Sequence, residues 1–499
     1  MKKIIAILCV VSLLAALFVG CNTGKIPADE PADKESGKAQ ARTYIASKVI
    51  DKKLAFVCDD KLIVTEYNAY ERKFDLIYSL DGAAAVCHRE YDALLYIHDS
   101  SVEKIADMAQ SCRLSTDGSV IAFSTGSDLY LYHAEIGETV QVCTDEDEVY
   151  SYALSPDGKT LVYMTANDKI SHLFVYRDGA AALRAEFDGS ESNAYKVRYY
   201  LVSTNNSADI IYVCSDTRGV ISVDAEGNKT KVGDVRAGEY PLYLNADHSQ
   251  LLFYNSFTYL SKQGQEGIQL TRGALSPVQP EFVQFPVNQS IITCHFADLS
   301  AVLMSSGSDL KYPDANGEFS VLETGGIGNS LFRSYLLDYE GRYLFYHSQD
   351  LAALYRIDLK NGAQPTQVAQ GAENFAISKD CRTLYYVTTT TQEDGDGQVS
   401  YSSTIYQCNA KDGSQQNKVV THRVLDMYCT ENGKLFFRAV EDGHQNLYTL
   451  TSGGEVERIL ENVKTFYQEE NGMIWVIVDE DHYIVYNEKL IQPEVKTMD

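Results

Sequence analysis

Tryptophan occurs once in this chain, at position 475 of 499, proline only ten times, and lysine plus arginine 43 times against 69 aspartates and glutamates. The last imbalance leaves a formal charge of −26. Such a chain is repelled by phosphate unless it concentrates a basic patch, and none is visible, so no nucleic-acid partner is expected. The charge serves solubility, with attraction for cations or basic partners as the functional alternative. Catalytic signatures are missing too. No G-x-S-x-G elbow presents a serine nucleophile, and no G-x-x-x-x-G-K-[ST] loop cradles a phosphate. The glycines of GGIGNS (325–330) lack the flanking strand and helix of a nucleotide site. No Cys/His cluster has metal-ligand spacing, so neither metal nor cofactor is expected. No long segment carries an apolar period of 3.6 residues, which argues against helical repeats.

What is present is a chain with 45% hydrophobic and 22% charged residues, enough for a large folded core. Lys2 and Lys3 precede the apolar run IIAILCVVSLLAALFVG (4–20), which ends at Cys21. That is the pattern of a secretory signal peptide over residues 1–20, an uncleaved membrane anchor being the alternative. Either places the body outside the cytoplasm. Removing residues 1–20 takes away two lysines and no acid, so the remainder carries −28. The small Gly20 before Cys21 resembles the lipobox of bacterial lipoproteins, with Phe18 where that family has Leu, Val or Ile. The resemblance implies lipidation at Cys21 and anchorage in the cell membrane on the extracytoplasmic side, stable when two acyl chains are attached. Residues 22–43 read NTGKIPADEPADKESGKAQART, too polar to fold, hence a flexible tether reaching about 25 Å. The nine remaining cysteines are scattered singly, and those such as Cys58, Cys143, Cys214 and Cys294 sit in apolar runs as small buried hydrophobes.

Beyond the tether a phrase repeats. TDGSVIAFS (116–124), PDGKTLVYM (156–164), ADHSQLLFYN (246–255), YEGRYLFYH (339–347), KDCRTLYYV (379–387), ENGKLFFRA (431–439) and ENGMIWVIV (471–479) all place a turn before an apolar run. Degenerate copies lie at Lys52–Val57, Asp92–Ile97, Asp209–Val213 and Leu299–Met304. The spacing, about 40 to 50 residues, is that of solenoids and propellers. In SPDG, Ser155 can bond backbone amides, Pro156 presets φ, and Asp157 with Gly158 tolerate the remaining turn dihedrals. The run Leu161–Met164 is apolar at successive positions, as in a middle strand buried on both faces. A further strand follows, then turns such as Asn361-Gly362, Asp412-Gly413 and Gly453-Gly454, giving four strands per unit.

SPDGKTLVYMT followed by HLFVYRDG resembles the WD40-like repeat of TolB-type β-propellers, over roughly residues 44–494. The resemblance implies an all-β propeller fold and leaves function open, and counting the repeats gives 10 or 11 four-stranded units. LSPVQPEFVQFP (275–286) holds three of the ten prolines, and suggests two tandem propellers, 44–278 and 279–499. One large propeller is the alternative. The catalytic half of peptidase relatives is missing, as are the S-x-D-x-G-x-T-W boxes of sialidase propellers and the Trp-rich motifs of quinoproteins.

Two acidic stretches, TDEDEVY (144–150) and EDGDGQ (393–398), read as solvated loops, since Val399 and Ile405 occupy positions where a calcium loop needs Gly and a carboxylate. The 35 tyrosines are mostly strand packing, with a minority suited to recognition. The expected function is a non-catalytic, membrane-anchored binding or scaffold lipoprotein for an envelope or extracellular protein, peptide or glycan. Its display sites would be the insertions near Asn205, Ser306 and Glu393. The alternatives are a propeller hydrolase or lyase whose acids and histidines converge in the central channel, and a purely structural envelope component.

Overall fold

The computed structural model describes strands from Ile45 to Thr497, with side chains for most of residues 45–231 and 343–498. All of them belong to one compact unit, Arg42–Asp499. Cys21 and the 22–43 tether lie outside the described residues.

The described body is all-β, with 43 strands. Nine four-stranded sheets and one seven-stranded sheet follow one another along the chain. The seven-stranded sheet is two blades joined by one strand, Asn417–Cys429. Its first half pairs back to Ser402–Gln407 and its second half forward to Leu435–Val440. Eleven blades result, numbered here from the N-terminus.

The fourth blade shows why the sequence repeats. Strands Val149–Leu154, Thr160–Asn167, Ile170–Arg177 and Ala180–Asp188 pair in order. Between the first two, Ser155 Oγ donates to Asp157 Oδ1 at 2.8 Å and accepts from Thr160 N at 2.9 Å, while Gly158 N donates to the Ser155 carbonyl at 2.9 Å. The same bonds recur at Ser115, where Oγ donates to Asp117 at 2.7 Å and accepts from Val120 N at 3.0 Å. Ser79, Ser378 and Thr430 likewise accept from the amides of Ala84, Thr383 and Lys434. The first residue of the phrase therefore closes the turn, and Asp orients it. Tyr96 and Tyr385 reach from the preceding blade to the turn carbonyls of Gly118 and Gly433, at 2.9 and 2.8 Å. Part of the tyrosine abundance is thus stitching between blades.

The second blade corrects one anchor. Its turn lies at Ser79–Gly82, before Ala84–Arg89, and Asp92–His98 is its third strand. The sequence SLDGAAAVC (79–87) carries the phrase, but three alanines disguised the apolar strand.

Blades pack face to face through apolar clusters. Ile45, Phe56 and Cys58 of the first blade meet Cys87, Leu95 and Ile97 of the second. Equivalent clusters join the second to fifth blades and the eighth to eleventh. Cys58, Cys87, Cys112, Cys143, Cys214, Cys408 and Cys429 are buried free thiols, and burial pushes Cys58, Cys87 and Cys112 up to about 12. Cys294 has no described side chain.

Two observations bear on the two-propeller division. Gly267–Ala274 pairs with Glu281–Phe285 in one sheet, so the boundary at 278/279 falls inside the sixth blade; residues 275–280 themselves lie outside the described ones. The last blade also meets the first. Met473, Trp475 and Ile484 pack on Ala46, Ala55, Val57 and Leu62, and Glu494–Thr497 adds a parallel fourth strand to Lys61–Val64. Both faces of the first blade are thus occupied, by the second and eleventh.

Candidate binding site

Of the three expected insertions, the one near Glu393 is, among the described residues, the one that projects. Asn205 lies in the first turn of the fifth blade, where Asn206 Oδ1 accepts from Asp157 N at 3.0 Å and its carbonyl from Thr160 at 3.1 Å. That turn is a joint between blades. Ser306 ends a strand paired directly with one beginning at Asp309, Ser306 opposite Asp309, and residues 307 and 308 lie outside the described ones. Near Glu393, by contrast, Thr383–Glu393 and Val399–Asn409 run eleven residues each in unbroken register, against six for Val120–Thr125 and eight for Thr160–Asn167. The outer part of this hairpin extends beyond the ninth blade.

Beside it, the shared strand Asn417–Cys429 crosses from the ninth blade to the tenth, and two clefts open along it. One, of about 760 Å³, is lined by Gln407, Asn417, Lys418, Asn432, Lys434 and Glu457 among others. The other, of about 590 Å³, is lined by Val420, Thr421, His422, Glu441, Tyr448, Val456 and Arg458.

Glu441 organises the second cleft. Asp442 and Gly443, with φ of 50° and 81°, form the tight hairpin turn that follows it. The resulting register, Glu441 opposite His444, Ala439 opposite Asn446 and Phe437 opposite Tyr448, puts Glu441, Asn446 and Tyr448 on one face. Arg458 joins from the next strand, opposite Tyr448, and His422 from the crossing. Glu441 Oε2 accepts from Tyr448 Oη at 2.7 Å and from Arg458 Nη1 at 2.9 Å, while His422 Nε2 lies 3.1 Å from Oε1. Arg458 Nη2 also reaches Glu461 at 3.0 Å. The Tyr448 hydrogen bond, helped by His422 and Arg458, holds the Glu441 carboxyl below the usual range against the effect of burial. Burial, and then Glu441 itself, push the Tyr448 phenol up. Both groups therefore keep their charge state around neutrality, Glu441 ionised and Tyr448 protonated.

No sequence pattern foreshadows this cluster, because its members come from four strands. The Asp442-Gly443 turn was the available signal, since it sets the register that aligns Glu441 with Tyr448. The acidic stretch 144–147 and residues 394–398 lie outside the described residues. Among the described residues no group of three or more His, Cys, Asp or Glu side chains is placed to hold a metal ion. The described histidines are dispersed. His88 is buried with Nε2 2.9 Å from the Ala109 carbonyl, and His98, His172 and His444 lie beside Asp99, Glu186 and Asn462 respectively.

No protein-family model matches this chain, and no curated protein does. Solved structures do. The chain is similar to a crystal structure of the tricorn protease, at 11% identity and a TM-score of 0.25, over 91% of this chain and 62% of that one. It is also similar to a crystal structure of the eukaryotic initiation factor, at 11% identity and a TM-score of 0.35, over 78% of this chain and 97% of that one. At TM-scores this low neither likeness adds to what the sheet order shows. The fold is an all-β array of propeller blades.

Proposed function

We propose that this protein is a non-catalytic binding or scaffold lipoprotein, anchored through Cys21 on the extracytoplasmic face of the cell membrane. On this reading it engages an envelope or extracellular protein, peptide or glycan at the ninth and tenth blades. The observation that carries it is the Glu441 cluster, whose side chains bond one another beside the projecting hairpin. A general base works best with a pKa near the operating pH and a free lone pair. Glu441 is shifted the other way, its Oε2 already accepts from Tyr448 and Arg458, and its Oε1 faces His422 Nε2 at 3.1 Å. Side chains fixed by one another form a rigid polar surface, and rigid scaffolds presenting loops are how propellers and other repeat folds bind. The N-terminal sequence supports the address, since Lys2, Lys3, the apolar run and Gly20-Cys21 stand in signal-peptide order.

The test is in-cell cross-linking of the tagged protein followed by mass spectrometry, beside a Cys21→Ala control. The expected result is one dominant partner, captured only from the anchored protein and lost when Glu441 and Arg458 are both changed to Ala. Turnover of a defined substrate by the purified protein, abolished by His422→Ala or Glu441→Gln, would overturn it in favour of the hydrolase or lyase reading.

A further inference from the structure

We infer that the outer half of strand Thr383–Glu393 is a docking edge, at which an extended segment of a partner protein adds as a β-strand. This rests on the binding-protein reading and names its partner class.

The first strand of the ninth blade, Asn374–Ile377, pairs only with Leu384–Val387. From Thr388 to Glu393 the second strand has Val399–Thr404 on one side and, among the described residues, no strand on the other. Alternate backbone N–H and C=O groups along that side point outward with no ladder partner among the described residues, and another strand is the ligand that matches such a row. Open edges are normally protected by bulges, charges or proline. The other blades show this. In six of them the ladder between third and fourth strands is broken by a register shift, and Ser101–Ala109 and Glu494–Thr497 carry charges along their length. The segment Thr388–Gln392 reads TTTTQ, with no charge, no proline and no shift against its partner. Its β-branched residues favour the extended state. Thr390 Oγ1 and Ser402 Oγ, 2.9 Å apart, brace it from within the hairpin.

The occupant is identified by charge. Glu393 is exposed at the end of the edge, and the whole chain carries −26, so a segment with a lysine or arginine near one end is attracted. A second copy is disfavoured by the same charge, and an edge of this length buries far less than the roughly 1,200 Å² of a stable interface.

The probe is a short synthetic peptide of alternating Thr and Val with Lys at each end, titrated onto the purified soluble protein and read by fluorescence anisotropy. A version with alternate amides N-methylated cannot donate to the ladder. Saturable binding is expected for the first peptide and none for the second, with roughly tenfold weakening in Thr389→Lys/Thr391→Lys, about the effect of replacing one or two ladder bonds by a blocking charge. Equal binding of both peptides, equal binding to the variant, or no binding at all would overturn the edge. Sedimentation showing a dimer that the variant abolishes would assign the edge to a second copy and also overturn it. A partner captured in cells, with capture unchanged in the variant, would remove the edge while leaving the binding-protein reading intact. Unchanged circular dichroism and melting of the variant secures the fold.

Discussion

The stacking of turns between blades can be tested at Gly118. Its φ is +75°, and a Cβ built there would lie 2.6 Å from the Ala84 Cβ and 3.3 Å from the Ser79 Cβ of the second blade. Neither atom is the end of a flexible side chain, so relief requires the blades to part. Gly118→Ala should therefore cost about 1–2 kcal/mol for a side chain in the left-handed region, plus about 1–3 kcal/mol for overpacking. Gly126 separates the two effects. Its φ is +62° with nothing within 4 Å of a built Cβ, so Gly126→Ala should show the backbone cost alone. Ala84→Gly in the Gly118→Ala background removes the clashing atom and should recover most of the overpacking cost, less about 0.5–1 kcal/mol for a glycine within a strand. The assay is urea unfolding followed by tyrosine and tryptophan fluorescence, all four proteins compared at equal slope. If Gly118→Ala is no worse than Gly126→Ala, or if Ala84→Gly gives no recovery, the turns do not stack as described.

Two further outcomes follow from the seams. Trp475 is fully buried where the eleventh blade meets the first, so Trp475→Ala should lose about 3–5 kcal/mol, and a thermal midpoint unchanged from the parent would refute that closure. Glu441 has a lowered folded pKa, so its contribution is complete above the unfolded glutamate value of about 4.3 and is lost as pH falls through the folded one. Glu441→Gln should therefore be less stable than the parent near neutrality, with the gap closing towards acid in melts recorded across pH. A gap that persists or widens below the folded value would contradict the assignment.

The repeat unit was legible in the residues because a turn is a local event. Ser155, Asp157 and Gly158 satisfy one another within six residues, and an apolar run such as Leu161–Met164 can only be a strand covered on both sides. Copies with weaker chemistry were harder, as the alanines after Gly82 show. The count of 10 or 11 units was likewise readable, since each blade repeats the same local problem, and eleven blades are found.

What the sequence could not supply was neighbour choice. Proline density at 275–286 suggested a break, yet proline reports local ladder competence, and sheet pairing between Leu270 and Val283 runs across the stretch. The contact of Trp475 with Ala46 and Val57 joins residues more than four hundred apart, and nothing local encodes which blade closes on which. The Glu441 cluster has the same character, because His422, Tyr448 and Arg458 meet only once the shared strand has crossed between blades. Local dihedral and patterning preferences determined the unit and its number; the order in which faces cover one another, and the polar surface left where two blades share a strand, were decided by the tertiary structure.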